Sequence, residues 1–427
     1  MYCGICLRDN ALVAQLRKMG HDVLMIPLYL PLTLDEKDES EGTPIFFSGI
    51  NVYLEQKLPW FRKAPAWFHS LMESKKLLRW AGGRAAKTQP KELGDITHSM
   101  LQGEEGFQAR ELAQLIGWLK NRKIDVICLS NALLVGLARK LKSALSAPVV
   151  CMFQGEDIFL DSLPEPHRNE CWKTLSDRAM DVALFGAASR YFAEYMRGRL
   201  ELPREKVRVV YNGINLAGFT ELATGDAATG GKREPVLGYF ARMCSDKGLD
   251  TLVEAYVLLR RAGKCNDLKL RVGGGCGPSD QKFVRTLQQR LRAEGLEQDC
   301  EFLPNLDRKA KVELLRSLSV FSVPAKYGEA FGLYVIEAMA AGVPVVQPRR
   351  GAFTEVVEST GGGVLCEPDN AQGLADGIQA VLLRPDRGRS LGEAGRRAVT
   401  EKFNAQAMAQ SMIDLCKDAI GKTYARI

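Results

Sequence analysis

The sequence predicts an α/β protein built from parallel β-sheets with helices packed on their faces. Three observations favour this class. Apolar runs of strand length alternate with amphipathic stretches of helix length along nearly the whole chain. No apolar run is long enough to span a membrane. The 427 residues would form two or three domains, since one domain usually contains about 100–200 residues.

The first half of the chain holds six candidate strands: residues 21–27, 45–54, 125–129, 148–153, 182–186 and 207–211. Helical spacing of apolar residues covers 7–19, 104–120 and 133–143. In a domain of this class a strand normally precedes the first glycine turn, yet only three residues precede Gly4. We therefore expect the natural chain to begin upstream of Met1, the alternative being an unusual domain.

The second half shows the same alternation more regularly. Its candidate strands are residues 235–241, 268–273, 300–303, 320–324, 343–347 and 363–365. Helices are predicted to begin near Gly248, Ser279, Asp307, Phe331 and Ala371. A last helix is predicted over 405–419, with no strand after it.

A change of composition separates the two halves. Residues 216–235 are rich in Gly, Ala and Thr and lack apolar periodicity, which is typical of a linker. The predicted organisation is an N-terminal domain over 1–216, a linker over 217–234, a C-terminal domain over 235–404 and a terminal helix over 405–427. This last helix is expected to pack back across the domain junction.

Positive charge is concentrated in one segment. The formal net charge is +7, and residues 58–90 hold seven basic residues against Glu73, together with three of the five tryptophans. A basic, aromatic segment with helical spacing suits an anionic membrane surface. Alternatively, this segment is a helical excursion that packs its aromatic side chains on the first domain. Because the rest of the chain is nearly neutral, we expect no nucleic-acid partner.

The eleven cysteines do not indicate a disulfide framework. Their number is odd, they are scattered, and no apolar leader is visible, so we expect reduced thiols in the cytoplasm. Cys3 and Cys6 have the spacing of a redox pair, which we interpret as coincidence because other features of such proteins are absent. The four histidines show no metal-ligand spacing, so we expect neither a metal nor another cofactor.

The most informative stretch contains two glutamates eight residues apart, Glu329 and Glu337. A helix is predicted to begin between them, so the amides of Phe331, Gly332 and Leu333 would be first-turn donors suited to an anion. Glu337, about two turns into the helix, could accept hydrogen bonds from a diol such as a ribose. By spacing alone, an ordinary buried helix explains the pattern nearly as well.

A second stretch places two cations, Arg242 and Lys247, on a loop between a strand and a helix. Open α/β sheets bind ligands at this carboxyl edge, and two cations there could neutralise a diphosphate without a metal. A solvated surface pair is the alternative. A third piece, residues 268–277, is a strand that ends in a glycine-rich turn around Gly274. It lacks the last glycine of the dinucleotide pattern, where Pro278 stands, and is expected to approach a base closely.

Together these motifs resemble one family. The loop of Arg242 and Lys247, the glycine turn at 273–275 and the segment GEAFGLYVIEAMAAGVPVV look like the C-terminal half of the retaining glycosyltransferases of family 4. The run Asn212-Gly213-Ile214-Asn215 matches the segment before the linker in that family, with Asn215 in place of aspartate. The resemblance is strong from about residue 235 to 385 and looser before. It implies the GT-B fold, in which two Rossmann-like domains face each other across a cleft.

The resemblance also implies roles for these residues. Arg242 and Lys247 would hold the diphosphate of a nucleotide-sugar donor, and Glu329 would contact the donor sugar by positioning and charge stabilisation. The amides of residues 331–333 would bind sugar and phosphate, and Glu337 would bind the ribose hydroxyls. Transfer would proceed with retention at the anomeric carbon and, as in most of the family, without a metal.

Several positions depart from the family pattern. Its N-terminal glycine-rich loop is represented here by Gly4. A histidine commonly ends the strand predicted at 148–153, but this chain has Gln154, which can bind a sugar hydroxyl and cannot take a proton. The neighbouring Glu156 and Asp157 could serve an acceptor hydroxyl or cap the next segment.

The leading hypothesis is therefore a cytoplasmic glycosyltransferase that moves a sugar from a UDP-, GDP- or ADP-sugar to a glycan or lipid-linked acceptor. Peripheral association with the inner face of the membrane, through residues 58–90, is part of this hypothesis. Two alternatives stay open. One is a GT-B nucleotide-sugar epimerase, and the other is a relative that binds nucleotide-sugars or glycans without turnover, which Gln154 and the missing first strand favour.

Overall fold

The computed structural model of the protein describes residues 4–28, 36–46, 90–219 and 234–424. These residues form two compact units, each named here for its sheet. Those of the six-stranded unit fall within Met1–Gln15, Thr33–Lys37 and Tyr211–Met408. Those of the four-stranded unit fall within Leu16–Leu32, Asp38–Val210 and Ala409–Ile427. Both units are discontinuous along the chain, whereas the predicted domains are continuous segments, and those domain limits stay a prediction.

The first described helix, α1 (Gly4–Lys18), has residues in both units. Its residues up to Gln15 belong to the six-stranded unit and the rest to the four-stranded unit. Leu12, Val13 and Leu16 are buried on one side of the helix, as the spacing of apolar residues requires. The helix begins three residues before the predicted start at residue 7.

The four-stranded unit contains a parallel sheet in the order β1-β2-β3-β4. Its strands are β1 (Ile127–Leu129), β2 (Val149–Phe153), β3 (Leu184–Ala187) and β4 (Val207–Val209). Every residue of β2 and β3 is buried, since helices cover both faces of a parallel sheet. The rings of Phe153 and Phe185 stack with their centroids 4.4 Å apart between the two central strands.

Six helices of this unit follow in chain order: α2 (Pro90–Gln102), α3 (Ala109–Leu119), α4 (Ala138–Leu145), α5 (Glu156–Asp161), α6 (His167–Ala179) and α7 (Arg190–Arg199). Short 3-10 turns lie at Gly103–Glu105, Ala132–Leu137 and Arg204–Lys206. Ser189 caps α7 by accepting a hydrogen bond from the Phe192 amide at 3.0 Å, which satisfies a first-turn donor.

The six-stranded unit contains a second parallel sheet, in the order β10-β9-β8-β5-β6-β7. Its strands are β5 (Val236–Phe240), β6 (Lys269–Gly274), β7 (Cys300–Pro304), β8 (Val320–Phe321), β9 (Val345–Pro348) and β10 (Gly363–Cys366). Strand order reverses between β5 and β8, so the loops that follow these two strands leave in opposite directions. A crevice at their carboxyl ends is therefore the expected place for a ligand.

The helices that follow β5 along the chain are α8 (Leu249–Arg261), α9 (Gln281–Ala293), α10 (Arg308–Arg316), α11 (Leu333–Ala340), α12 (Ala352–Thr360), α13 (Ala371–Leu382), α14 (Pro385–Lys402) and α15 (Ala405–Tyr424). The first five alternate with the strands, the next two follow β10, and α15 belongs to this unit only up to Met408. Helix α8 buries Leu249, Leu252, Val253 and Tyr256, the spacing of an amphipathic helix that covers a sheet. A 3-10 turn lies at Glu297–Asp299.

The predicted α/β class with parallel sheets is confirmed. The strands predicted at 125–129, 148–153, 182–186 and 207–211, and all six of the second half, lie within a few residues of the observed ones. The helix predicted over 104–120 is divided, because Gly103–Glu105 forms a 3-10 turn and α3 begins at Ala109. The one predicted over 133–143 likewise begins as a 3-10 turn before α4.

Residues 21–27 do not form the predicted strand. A strand requires a neighbour to complete its hydrogen-bond ladder, and the described strands pair only with one another. The Val23 carbonyl instead accepts hydrogen bonds from the Arg17 guanidinium at 3.0 and 2.8 Å. Three predicted segments lie wholly or mostly outside the described residues: the membrane-binding segment at 58–90, of which Pro90 alone is described, the strand at 45–54 and the linker.

Two helices of the second half were missed by the sequence patterns, α12 and α14. In the first half, α2, α5, α6 and α7 lie outside the helix ranges predicted above. Helix α12 has nine residues between two glycines, and such short segments are easily taken for loops. Helix α14 contains Gly388, Gly392 and Gly395, and Gly is normally unfavourable in a helix interior. Gly392 is required by packing, since a Cβ there would lie 2.1 Å from the Gly342 carbonyl oxygen. No helix within the described ranges is long and apolar enough to cross a membrane.

Candidate active site

The predicted cations follow β5 and the predicted glutamates follow β8, in the six-stranded unit. Arg242 and Lys247 lie on the loop between β5 and α8, as the sequence predicts. Glu329 lies on the loop between β8 and α11, and Glu337 lies on α11 itself. Because β5 and β8 are the neighbours at which strand order reverses, the two loops border the same crevice.

The carboxylate of Glu329 is the centre of this cluster. One of its oxygens, Oε2, lies 2.5 Å from Lys247 Nζ and accepts hydrogen bonds from the hydroxyls of Tyr334 at 2.6 Å and Tyr327 at 3.3 Å. The side chains of Lys247 and Glu329 are 19% and 14% exposed, so this ion pair is largely removed from water. Charge-assisted hydrogen bonds of this kind fix the orientation of a carboxylate.

Two tyrosine rings enclose the lysine of this pair. Lys247 Nζ lies 4.9 Å from the ring centroid of Tyr327 and 5.3 Å from that of Tyr334, within the range of cation–π attraction. Burial raises the pKa of both hydroxyls, and the neighbouring Glu329 raises them further. Both tyrosines therefore remain neutral hydrogen-bond donors to the glutamate. We call Lys247, Glu329, Tyr327 and Tyr334 the tyrosine-enclosed pair.

Arg242 is held in place by a carboxylate that the sequence analysis did not identify. Its guanidinium donates to Asp280 through Nε at 3.1 Å and Nη2 at 2.9 Å. These hydrogen bonds to Asp280 raise the pKa of Arg242. The side chain of Asp280 is 6% exposed and that of Arg242 is 51% exposed. A buried carboxylate therefore holds a guanidinium that remains half exposed to solvent. The buried Tyr239 hydroxyl also donates to the Arg242 carbonyl at 2.7 Å.

Glu337 is paired with Lys311, a buried residue of α10, at 2.9 Å. The glutamate lies one turn into α11, not two as predicted, because the helix begins at Leu333. Gly332 occupies the cap position with φ of 86°, a conformation that favours glycine. A Cβ there would also lie 2.8 Å from the Phe353 ring. The amides of Leu333 and Tyr334, which open α11, have no acceptor within the helix by their position, whereas the Val335 amide donates to the Gly332 carbonyl at 2.9 Å.

Three further predicted residues surround this region within the same unit. The Phe331 side chain is buried, with its ring centroid 6.4 Å from that of Tyr211 and 5.7 Å from that of Phe403. A Cβ on Gly4 would lie 3.9 Å from Leu333 Cδ1, which places the start of α1 next to the start of α11. Gly274 has φ of 125°, and a Cβ there would lie 1.9 Å from the Ala241 carbonyl oxygen.

Gln154, Glu156 and Asp157 belong to the four-stranded unit, at the turn between β2 and α5. Both carboxylate oxygens of Glu156 accept hydrogen bonds from backbone amides: Ala132 at 2.7 Å, Gln154 at 2.9 Å and Gly155 at 3.0 Å. Glu156 is buried, and burial raises its pKa. These contacts fix the turn that precedes α5 and the first amide of the 3-10 turn at Ala132, and the two roles that the sequence left open for Glu156 stay predictions.

Four residues of the site were not identified from the sequence: Asp280, Lys311, Tyr327 and Tyr334. Two of them have partners that are distant in the chain. Asp280 pairs with Arg242, 38 residues away, and Lys311 pairs with Glu337, 26 residues away. Tyr327 and Tyr334 do lie in the informative stretch, two and five residues from Glu329. No group of three or more His, Cys, Asp or Glu side chains within the described ranges could hold a metal ion.

The charges of the site are compensated within the protein. Arg242 pairs with Asp280, Lys247 with Glu329 and Lys311 with Glu337. An anionic ligand therefore meets cations whose positions are already fixed, together with first-turn amides of α11. Such an arrangement can stabilise charge that develops on a leaving phosphate, because the donors need no reorganisation.

Comparison with known families agrees with this geometry. The family described as Glycosyl transferases group 1 matches residues 227–398, and Glycosyltransferase Family 4 matches residues 86–217. Each half of the chain therefore matches a glycosyltransferase family model. The predicted resemblance to family 4 is thereby confirmed.

Curated relatives are similar over different lengths. The D-inositol 3-phosphate glycosyltransferase of Saccharomonospora viridis is 29% identical over 221 residues, 51% of each chain. An uncharacterized glycosyltransferase of Methanocaldococcus jannaschii is 24% identical over 328 residues, 74% of this chain and 80% of that one. The chain thus spans about half the length of the first of these relatives.

Solved structures share the fold. Sucrose-phosphate synthase from Thermosynechococcus elongatus has a TM-score of 0.62 and 22% identity, covering 73% of this chain and 79% of that one. Anabaena HepE in complex with UDP has a TM-score of 0.62 and 19% identity, covering 74% and 84%. These likenesses confirm the predicted GT-B class, whose two parallel sheets the structure contains.

The tyrosine-enclosed pair gives a first prediction. Tyr334→Phe keeps the ring beside Lys247 and removes the hydroxyl that donates to Glu329. Because a hydrogen bond to a charged acceptor contributes about 1.5–3 kcal/mol, the variant should lose about that much free energy of unfolding in urea denaturation. Tyr195→Phe removes a hydroxyl that makes no hydrogen bond within the described chain and should lose less than about 0.5 kcal/mol. Equal losses in the two variants would contradict the role assigned to Tyr334.

Glu156 gives a prediction of pH dependence. Its pKa is raised above the ordinary value of 4.5, so the folded state binds the proton more tightly than the unfolded chain. The stability that this group contributes is therefore full below about pH 4.5 and declines as pH rises through the folded pKa. Glu156→Gln lacks this decline. The free energy of unfolding of the variant minus that of the wild type should thus increase between pH 4.5 and 7, and a constant difference would contradict the pKa shift.

Proposed function

We propose that the protein transfers a sugar from a nucleotide-diphosphate-sugar donor to a glycan or lipid-linked acceptor, with retention at the anomeric carbon. The match of each half to a glycosyltransferase family model supports sugar transfer as the reaction class. The observation that carries the proposal is the tyrosine-enclosed pair, which fixes a carboxylate and a cation at the crevice between β5 and β8. Next to it lie the oriented Arg242 and the first-turn amides of α11.

The donor is proposed to bind along this crevice. Arg242 and Lys247 would neutralise the diphosphate, and Glu337 would accept hydrogen bonds from the ribose hydroxyls. Gly274, where no side chain fits, would let the base approach the backbone. HepE structures contain UDP, UDP with glucose, and UDP-glucose, which makes a UDP-sugar the first donor to test, before GDP- and ADP-sugars.

In the proposed reaction the protein stabilises the departing nucleoside diphosphate. Arg242, Lys247 and the α11 amides are fixed donors aimed at developing negative charge, so they would bind the transition state better than the ground state. Glu329 would orient the sugar and stabilise positive charge at its anomeric carbon. Arg242, Lys247 and the α11 amides are the groups proposed to contact the diphosphate, and the proposal includes no metal.

The acceptor is proposed to involve the turn between β2 and α5. Gln154 can donate to and accept from a sugar hydroxyl, and Asp157 on the same turn is a second proposed contact. The backbone contacts of Glu156 give it a positioning role for this turn. We further propose that the basic, tryptophan-rich segment at 58–90 attaches the enzyme to an anionic membrane surface on the cytoplasmic side.

Two variants test the donor site. Glu329→Gln keeps the size of the side chain and removes its charge, and Arg242→Ala removes the cation held by Asp280. Each should lower donor turnover by about a hundredfold or more, since removal of one preorganised charge-stabilising group has effects of about 10²–10³. Arg261→Ala is the matched control. Arg261 is the last residue of α8, is 58% exposed and, like Arg242, pairs with a carboxylate, that of Glu294. The control variant should leave turnover unchanged.

The measurements begin with thermal shifts in UDP-glucose, GDP-mannose and ADP-glucose. Release of the nucleoside diphosphate is then followed with the donor that binds, and proton NMR of the product reports the anomeric configuration. Donor binding without release, in the wild type, would favour a non-catalytic binding protein. Conversion of the sugar into its epimer without an acceptor would favour an epimerase. Wild-type turnover in both variants would overturn the site assignment.

A further inference from the structure

The carboxylate of Glu329 is held by side chains, and its backbone is held by a separate turn. This turn comprises residues 350–353, between β9 and the start of α12, and we call it the α12 turn. Strand β9 neighbours β8 in the sheet, so the loop after β9 lies beside the loop that carries Glu329. The amide of Ala352, the first residue of α12, donates to the Glu329 carbonyl at 2.9 Å. Ala352 is buried, so this hydrogen bond is shielded from water.

Gly351 permits this close approach because it has no side chain. Its backbone has φ of 57° and ψ of −145°, and a positive φ favours glycine. A Cβ at this position would lie 2.6 Å from the Glu329 amide nitrogen and 2.8 Å from the Glu329 carbonyl oxygen. Both distances are well inside van der Waals contact. Any larger residue at position 351 must therefore displace the Glu329 backbone or the α12 turn.

The α12 turn also contacts a tyrosine that holds the Glu329 carboxylate. The ring of Phe353 is buried and meets the ring of Tyr334 edge to face, with the two centroids 6.2 Å apart. Aromatic rings favour this arrangement. Tyr334 in turn donates to Glu329 Oε2 at 2.6 Å. Three consecutive residues of the turn therefore contact the Glu329 backbone or a side-chain partner of its carboxylate.

Two side-chain contacts fix the α12 turn itself. Arg350, its first residue, donates to both carboxylate oxygens of Asp369 in the loop after β10. Glu355, in the first turn of α12, accepts a hydrogen bond from the Tyr211 hydroxyl at 2.5 Å. Paired hydrogen bonds between arginine and a carboxylate fix direction as well as distance. The turn is thus a fixed support for the Glu329 loop.

We propose that Gly351 is a positioning residue for Glu329. The missing side chain lets the α12 turn support the Glu329 backbone, so the carboxylate stays where Tyr334 can donate to it and where the donor sugar is proposed to bind. For its effect on turnover, this inference rests on the proposed function. Arg242, which is proposed to bind the diphosphate, is held by Asp280 and not by the α12 turn. Displacement of Glu329 should therefore slow sugar transfer and leave nucleotide binding unchanged.

Steady-state kinetics of Gly351→Ala test this separation. With the donor that binds, kcat should fall at least about tenfold, since a misplacement of about 1 Å in a catalytic site can cost about a hundredfold. The dissociation constant of UDP, replaced by GDP or ADP if thermal shifts select another donor, should keep its wild-type value in isothermal titration. Wild-type kcat in Gly351→Ala would overturn the proposal.

Gly361→Ala is the matched control. Gly361 follows the other end of the same helix with φ of 63°, and a Cβ there would lie 3.8 Å from Ala394 Cβ, an ordinary contact. Both substitutions place a Cβ on a glycine with positive φ, but only the one at Gly351 meets the Glu329 backbone. The control should leave kcat unchanged, and an equal loss in the two variants would overturn the proposal.

Combination with Glu329→Gln shows whether Gly351 acts through Glu329. If it does, Gly351→Ala should lower kcat by a smaller factor in the Glu329→Gln enzyme than in the wild type, because coupled residues are not additive. Equal factors in the two backgrounds would mean an effect independent of Glu329 and would overturn the proposal.

A second cycle tests the position of Glu329 without a substrate. Tyr334→Phe removes the hydroxyl that donates to Glu329, and the resulting decrease in the urea midpoint is measured in three backgrounds. The decrease should be the same in the wild type and in Gly361→Ala, and about half or less in Gly351→Ala, where the carboxylate is displaced from Tyr334. An undiminished decrease in Gly351→Ala would overturn the proposal. Absence of turnover in the wild type would contradict the proposed function alone, since this cycle needs no turnover.

Phe353→Leu takes the place of Gly351→Ala if the latter does not fold. It keeps the buried side chain apolar and removes the ring that meets Tyr334, a change of the kind that cores usually tolerate. The kcat of this variant should fall while its dissociation constant for the same nucleoside diphosphate keeps the wild-type value. Wild-type kcat in Phe353→Leu would overturn the proposal.

Discussion

The ion pair between Lys247 and Glu329 is the contact on which the candidate site depends. It connects the loop after β5 to the loop after β8, the two neighbouring strands at which the order of the six-stranded sheet reverses. Two half-buried tyrosines surround the pair and donate to the carboxylate. Because an ion pair that leaves water loses hydration free energy, these added hydrogen bonds and ring contacts explain how the pair persists at low exposure.

The same principle of compensated charge extends across the site. Asp280 fixes Arg242 and Lys311 neutralises Glu337, so every cation and carboxylate implied in donor binding has a partner in the protein. A site of this kind stays ordered without a ligand and presents donors in fixed directions. The diphosphate of the proposed donor would meet cations that are already oriented, and little reorganisation would be needed when the bond to the sugar breaks.

Local sequence patterns predicted the parts of the molecule that depend on neighbouring residues. The alternation of apolar runs predicted both parallel sheets, and the positions of Arg242, Lys247 and Glu329 relative to strands placed them on loops at the carboxyl edge. Contacts between distant residues could not be read in this way. The residues around Asp280 and Lys311 in the sequence do not indicate which distant side chains these two contact. Likewise, a strand at 21–27 would have needed a neighbouring strand to complete its hydrogen bonds, and the local sequence does not show whether one exists. The start of α11 was misplaced because the backbone of Gly332, with positive φ, delays the helix.

The central claim is that Lys247 and Glu329 act on the donor as one unit. A double-mutant cycle of Lys247→Met and Glu329→Gln, read as kcat/KM for the donor that binds, tests it most directly. If the pair is one unit, the double variant should be no slower than the slower single variant, with a coupling of at least about 1 kcal/mol. Additive losses, with coupling within about 0.5 kcal/mol of zero, would show that the two residues act separately and would contradict the account.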